Sequence, residues 1–178
     1  MALPDYLRQS QGTAVIWGES GASGVTKTLS FDALAAGSAR MGASADLGSN
    51  WNRDYIAIAI IESGIAPTAG GSIDIYFAHS YDNTNWPAGV TGSDSAWPSD
   101  GNEDEWSLQL GLPVLQVIAT NDGNVSQVQN AVIFRPASRY IAPVVDNNWS
   151  QAIRDEATAT NNDSRVVLIP LDEFVNDT

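Results

Sequence analysis

The residues that could carry out chemistry in this chain are carboxylates, tryptophans and a single histidine. There are 21 Asp and Glu residues, six Trp, one His and no Cys. Without cysteine the chain forms no disulfide and no thiolate zinc site, and it has no thiol nucleophile. One histidine excludes a metal cluster built on several histidines. The chemistry left open is acid–base work by carboxylates and binding by aromatic rings.

Catalysis by carboxylates has no distinguishing pattern here. Glycoside hydrolysis needs two carboxyl groups about 5 to 10 Å apart across a cleft, and nothing marks out one pair among 21 acidic residues. His79 stands near Asp74 and Asp82 in the chain, but the G-x-S-x-G pattern of a nucleophile elbow is absent. A lone histidine at a strand end is more often a hydrogen-bonded structural residue. We therefore predict that the chain is not an enzyme and that it uses no cofactor.

An acidic run lies in a segment rich in Gly, Pro, Asp, Asn and Ser. Clustered carboxylate oxygens are ligands that calcium prefers, but the D-x-[DN]-x-[DN]-G spacing of a calcium loop is absent. We interpret the run as a solvated charged stretch and predict no metal site. Its acidic residues are Asp94, Asp100, Glu103, Asp104 and Glu105.

The same long segment, around residues 79–112, is also aromatic. An indole ring can stack on the C–H face of a sugar while carboxylates and amides bond its hydroxyl groups, so this mixture is typical of a glycan-binding surface. The alternative is that the tryptophans hold the loop to the domain or contact another subunit. Two Trp-Pro pairs fit this alternative, because proline stiffens an irregular connection. The candidates for interface or glycan contact are Trp51, Arg53, Tyr81, Trp86, Trp97 and Trp106.

The charge balance argues against some classes of binding partner. Eight Lys and Arg residues against 21 Asp and Glu give a net charge of −13. Binding to nucleic acid requires cations that neutralise phosphate, so we predict no nucleic-acid partner, and an anionic membrane surface is disfavoured for the same reason. All the cations except Lys27 are arginine, the residue that interface ion pairs favour. This ratio fits a chain buried among copies of itself and fits plain compositional bias equally well.

The elements that position these residues are strands. Apolar residues recur with a period of two in several segments, which is the pattern of a half-buried strand. Segment 55–60 is apolar on both faces, so it should be central or covered by a partner. Segment 72–77 is polar on one face, and we expect that face to meet water. Further strands are predicted over 13–17, 25–31, 114–120, 125–134, 138–145 and 164–171.

The connections between these strands suggest the architecture. Asp122-Gly123 predicts a hairpin that joins 114–120 to 125–134, whereas segments 32–40 and 6–11 predict one short helical turn each. The 178 residues are the size of one domain. About eight or nine strands with regular turn signals predict an all-β, antiparallel sandwich of jelly-roll type. We expect it to span residues 1–178 as a single domain, with the Trp- and Asp-rich loop inserted.

Neither a membrane span nor a leader is expected. No run approaches the roughly 18 apolar residues of a membrane-crossing helix. The first residues lack the basic and apolar regions of a secretory signal peptide. We therefore expect a soluble product of intracellular synthesis, or a mature chain, with no membrane partner.

Three stretches of the chain carry a family resemblance. They are SIDIYFAHSYDNTNWPAGVTGSDSAWP (72–98), SRYIAPVVDNNWSQAI (138–153) and RVVLIPLDEF (165–174). Together they resemble β-sandwich virion proteins of tailed bacteriophages. The resemblance implies a non-catalytic protein of the virion, made in the host cytoplasm, that assembles in many copies as capsid decoration or in the tail. The implied partners are copies of itself, with a trimer the simplest arrangement for a decoration protein, and a major capsid or tail protein. The alternative is a carbohydrate-binding module at a fibre or host-adhesion tip.

Overall fold

The chain folds into two packed sheets, so the predicted all-β sandwich is confirmed. The structure is a computed structural model, and it describes residues 13–49, 51, 54–97, 109–120, 122, 126–128, 131–155 and 164–171. Each sheet has six strands, which gives twelve in all. The sequence predicted eight or nine. Several of the additional strands are only two or three residues long, too short to show a period in the sequence.

The strand bounds follow the predicted segments closely. In chain order the strands are β1 (Val15–Gly18), β2 (Lys27–Thr28), β3 (Ser38–Met41), β4 (Ala45–Asp46), β5 (Asp54–Glu62), β6 (Ser72–Ser80), β7 (Ser95–Ala96), β8 (Leu115–Ile118), β9 (Ser126–Val128), β10 (Val132–Phe134), β11 (Tyr140–Asn147) and β12 (Arg165–Leu171). The first sheet has the order β10-β5-β12-β1-β2, with β9 also paired to β5. The second sheet has the order β7-β3-β11-β6-β8, with β4 also paired to β11. The pairings are antiparallel except for β1 with β2.

The core between the sheets is built around aromatic rings. Trp17 and Phe77 lie with ring centroids 5.8 Å apart, and Phe77 and Phe134 lie 4.7 Å apart. The inward positions of β5 include Ala57 and Ala59, both fully buried in the same core. Small residues suit these positions because the rings fill the space between the layers. In the middle of β5 the larger side chains are therefore on the outward side, whereas Tyr55 and Ile61 near its ends are buried in the core.

The predicted hairpin between 114–120 and 125–134 is wrong. β8 pairs with β6 in the second sheet, whereas β9 and β10 pair with β5 in the first. The connection thus crosses between the layers instead of turning back within one. The side chain of Gln127 replaces part of the missing backbone pairing, because its Oε1 accepts from Thr120 N (3.0 Å) and its Nε2 donates to the Asp122 carbonyl (3.3 Å).

The helical turn predicted over 32–40 is also wrong. Ala33 and Gly37 have φ values of 54° and 71°, which no right-handed helix contains. The chain makes tight turns there, and Ser38 then begins β3. An Ala-rich segment favours a helix only where no strand competes to pair with it. Here β11 pairs with Ser38–Met41. The other predicted turn, over 6–11, lies outside the described residues.

One end of the sandwich is closed by the segment that follows β11. Trp149 is 2 % exposed, and its indole Nε1 donates to the Val117 carbonyl at 3.1 Å. Asn147, at the end of β11, is fully buried and holds this segment to the turn before β3. Arg154 then donates its backbone N–H to the Glu62 carbonyl at 2.9 Å, and its guanidinium pairs with the Glu62 carboxylate. The closure ties both sheets together.

Candidate functional site

The aromatic segment forms a strap over the outside of the second sheet. We use the name strap for residues 81–97. Trp97 is 4 % exposed, and its Nε1 donates to the Ala88 carbonyl at 2.7 Å. With Val90 it packs on Tyr76 and other outward residues of the second sheet. The expectation that this face of β6 meets water is therefore wrong at Tyr76, because the strap covers it.

Polar contacts fasten the strap at its centre. Asp94 accepts hydrogen bonds from Arg40 Nε (2.7 Å), Ser30 Oγ (2.6 Å) and Ser30 N (3.2 Å). Burial raises the pKa of Asp94, but the bonds from Arg40 and Ser30 outweigh that effect and hold the pKa below its usual value. Asp94 thus serves as an anchor for the strap. The rest of the predicted acidic run, Asp100 and Glu103 to Glu105, lies outside the described residues.

The predicted contact residues in the described part of the chain differ widely in exposure. Trp97 is buried, and Trp86 is half-buried with its ring against Gly92, where an added Cβ would lie 2.9 Å from Nε1. Tyr81 is 85 % exposed at the start of the strap, and Trp51 is 36 % exposed before β5. Arg53 and Trp106 lie outside the described residues. Trp97 therefore has the packing role that was the alternative to glycan contact.

His79 does not form an acid–base pair with either nearby carboxylate. Strand alternation places Asp74 on the opposite face of β6 from His79, where it accepts from Gln116 Nε2 at 2.9 Å. Asp82 accepts from the backbone N–H groups of Asn85 (2.8 Å) and Thr84 (2.9 Å), and these bonds lower its pKa far below the usual range. The Nδ1 of His79 is buried, and no hydrogen-bond partner for it lies among the described residues.

His79 is expected to make stability depend on pH. Its ring stacks on Phe134 with centroids 5.9 Å apart, and burial lowers its pKa from 6.5. The unfolded chain therefore takes up a proton first, so stability is full above pH 6.5 and falls as the pH drops below it. Urea unfolding of the wild type and His79→Phe between about pH 5 and 7.5 should show this fall in the wild type alone. If the free energy of unfolding changed equally with pH in both proteins, this role of His79 would be contradicted.

A third surface is the outward side of the first sheet, and its centre is aliphatic. The register places Ile133, Ile56 and Ile169 side by side across β10, β5 and β12. The next outward row joins Ile58, Val167 and Ile16 across β5, β12 and β1. We call these six residues the outer aliphatic face.

Composition and exposure both distinguish this face from an ordinary solvated one. In β5 the outward positions hold Ile56, Ile58 and Ile60, while two of the inward positions hold only alanine. Ile133 is 73 % exposed and the other five residues are half-buried, and none of the six belongs to either hydrophobic cluster of the described residues. Antiparallel sheets with one solvated face carry polar residues there. The doubly apolar pattern of 55–60 predicted part of this face, and strand pairing adds the rest.

Charged pairs border the outer aliphatic face at both ends. At one end Arg135 Nε lies 2.8 Å from Asp54 Oδ1. At the other, Arg154 pairs with Glu62, and Arg165 lies opposite Ile60 in the register. An apolar centre with a polar, arginine-containing rim is the usual anatomy of a protein–protein interface. What this surface can do chemically is bind another apolar protein surface.

Comparison with known proteins finds no match: no protein-family model, no curated protein and no solved structure matches this chain. Within the described ranges, no group of three or more His, Asp or Glu residues is placed to hold a metal ion. None of the helices in that part of the chain has the length and apolar character that crossing a bilayer requires. The function of the chain must therefore be inferred from the strap and the outer aliphatic face.

Proposed function

We propose that this chain is a non-catalytic structural protein that assembles through its outer aliphatic face, in many copies, on the capsid or tail of a bacteriophage particle. The observation that carries assembly is the row of large aliphatic side chains on the outward side of β5 and its neighbours. The phage setting is supported by the resemblance of the three sequence stretches to virion proteins.

The driving force for assembly is removal of aliphatic surface from water. Burying apolar area contributes about 25 cal/mol per Å². Exposed apolar patches of a few hundred Å² with polar borders typically mark interaction sites. When one chain contacts several neighbours in a particle, modest contacts add up because each later contact is made at high effective concentration. No reacting group is needed for this role.

The charge of the molecule is compatible with contact through this face. With a net charge of −13, copies repel each other on average. On the outer aliphatic face the nearest charges are mixed, because Arg135 pairs with Asp54 and Arg154 with Glu62. Approach through this face therefore does not set charges of one sign against each other.

The test is a charge placed on the face, compared with the same change elsewhere. Ile133→Lys should weaken self-association by at least about tenfold, because a lysine resists burial in an apolar contact. Ile65 is 67 % exposed in the loop after β5, so Ile65→Lys is the matched control and should leave association unchanged. The measurement is molar mass by light scattering over a range of concentrations. A wild-type chain that stays monomeric at every concentration would overturn self-assembly.

A glycan-binding module is the second candidate function. The observation that favours it is Tyr81, whose ring is 85 % exposed beside the polar turn at Asp82. A single free ring gives one stacking platform, whereas Trp97 is committed to packing. The outer aliphatic face has no use in this alternative, so we rank it second.

A further inference from the structure

We infer that the outer aliphatic face packs against the same face of a second copy, related by a twofold axis. This inference rests on the proposed function, because it names the partner of the face through which the chain assembles. The product is a pair of sandwiches with their first sheets stacked on each other. Three features of the molecule indicate this partner: the sheet face that is left uncovered, the charges at its rim and its area.

The sheet faces that remain uncovered indicate that both copies use the same face in the contact. A twisted sheet packs well on another sheet, with the layers about 10 Å apart and side chains interdigitated. The inner faces of both sheets form the core, and the strap covers the outer face of the second sheet through Val90 and Trp97. Among the described residues, the outer side of the first sheet is thus the sheet face left bare. Sheet-on-sheet packing between copies must use it from both, and that makes the contact isologous.

The rim charges suit a contact between like surfaces. Two copies of a surface with one sign of charge would repel. Here each end carries both signs, with Arg135 beside Asp54 at one end and Arg154 beside Glu62 at the other. A twofold rotation can therefore set an arginine of one copy near a carboxylate of the other. Two other ion pairs among the described residues, Arg40–Asp94 and Arg139–Asp46, lie on the second sheet and its strap, away from this face.

The size of the face fits a weak contact between copies. β5 has nine residues and β12 has seven, and the other strands of the first sheet are short, so the sheet holds 28 strand residues in all. At roughly 3.4 Å per residue and 4.8 Å between strands, they cover on the order of 450 Å². That is about half of the roughly 800 Å² that each partner contributes to a standard interface, and it lies in the range of weak, transient contacts. The long rim side chains enlarge that area.

Complementary charges at the centre of the face test the symmetry. Val167 lies between Ile58 and Ile16 in the register, so its side chain is central. Val167→Lys and Val167→Glu should each be monomeric alone, since like charges would meet across the axis. An equimolar mixture should recover the pair, with a Kd at least about tenfold lower than that of either variant alone. The readout is mass by light scattering, with circular dichroism to confirm folding.

The controls separate this inference from the proposed function. Ile65→Lys and Ile65→Glu should associate like the wild type, alone and mixed. If the Val167 variants do not fold, the same pair of changes at Ile58, which lies next to Val167 in the register, takes their place. Loss of association without recovery on mixing would mean that the face binds a different surface, which overturns the inference and leaves assembly standing. A monomeric wild type, or variants that lose stability with no change in mass, would overturn both.

Discussion

Asn147→Asp is expected to lower the free energy of unfolding by on the order of 4 kcal/mol. The Asn147 side chain is fully buried. Its Nδ2 donates to the carbonyls of Leu34 (2.9 Å), Ala35 (3.2 Å) and Gln151 (3.1 Å), and its Oδ1 accepts from Trp149 N (3.0 Å). A carboxylate in this position would present an acceptor to three carbonyl oxygens. The carbonyls would lose the amide donor, although Ile153 N and Ser38 N still donate to those of Leu34 and Ala35, and a negative charge would be buried against them.

Urea unfolding at neutral pH measures this effect. Asn83→Asp makes the same change at an exposed position with a left-handed φ of 61°, which Asp tolerates, and should stay within about 0.5 kcal/mol of the wild type. The Asn147→Asp variant should recover part of its stability in acid, because a protonated carboxyl group can again donate. A loss below about 1 kcal/mol would show that the site accommodates the charge.

Trp97→Ala is expected to cost about 3–5 kcal/mol, the range for truncating a buried tryptophan. The Trp97 ring is the largest side chain in the cluster beneath the strap, and its Nε1 donates to Ala88. Its backbone N–H also donates to the Ala39 carbonyl at 3.0 Å. Removing the ring leaves a cavity over the outer face of the second sheet. The strap should then open before the rest of the domain unfolds.

Hydrogen exchange distinguishes local opening from global loss. In Trp97→Ala, the strap amides that donate to the body of the domain should lose protection, while amides in β5 and β12 keep theirs. Trp97→Phe keeps a ring but removes the bond to Ala88, and it should cost less. Tyr81→Ala changes an exposed ring and should be nearly neutral. If Trp97→Ala left stability unchanged and abolished glycan binding, the glycan-binding module would be favoured instead.

Sequence analysis could predict the strands because their signal is local. A period of two is visible in β5, β6 and β12 without knowledge of any partner. Pairing is not local, so the hairpin across Asp122 was wrong although both of its strands exist. The turn chemistry is compatible with a hairpin, but β6 and β5 compete for the two segments and separate them. The helical turn at 32–40 failed for a related reason, since β11 recruits Ser38 to Met41 into a sheet.

The candidate site was only partly predictable. The doubly apolar pattern of segment 55–60 indicated a surface that needs a cover. The contributions of Ile16 and Ile133 depend on register, because a shift of one residue would turn both inward. The role of Trp97 could not be chosen from the sequence, since a tryptophan that stacks on a sugar and one that holds a loop have the same neighbours in the chain. Packing decides between them.

The strap also bears on how far the proposed assembly could proceed. A sandwich that is bare on both sides could add copies above and below without limit, and the product would be an open column. Here Val90 and Trp97 cover one side. If copies pair through the outer aliphatic face as proposed, growth by stacking would stop at two molecules, and any larger order would have to arise from contacts at the edges or with a different protein.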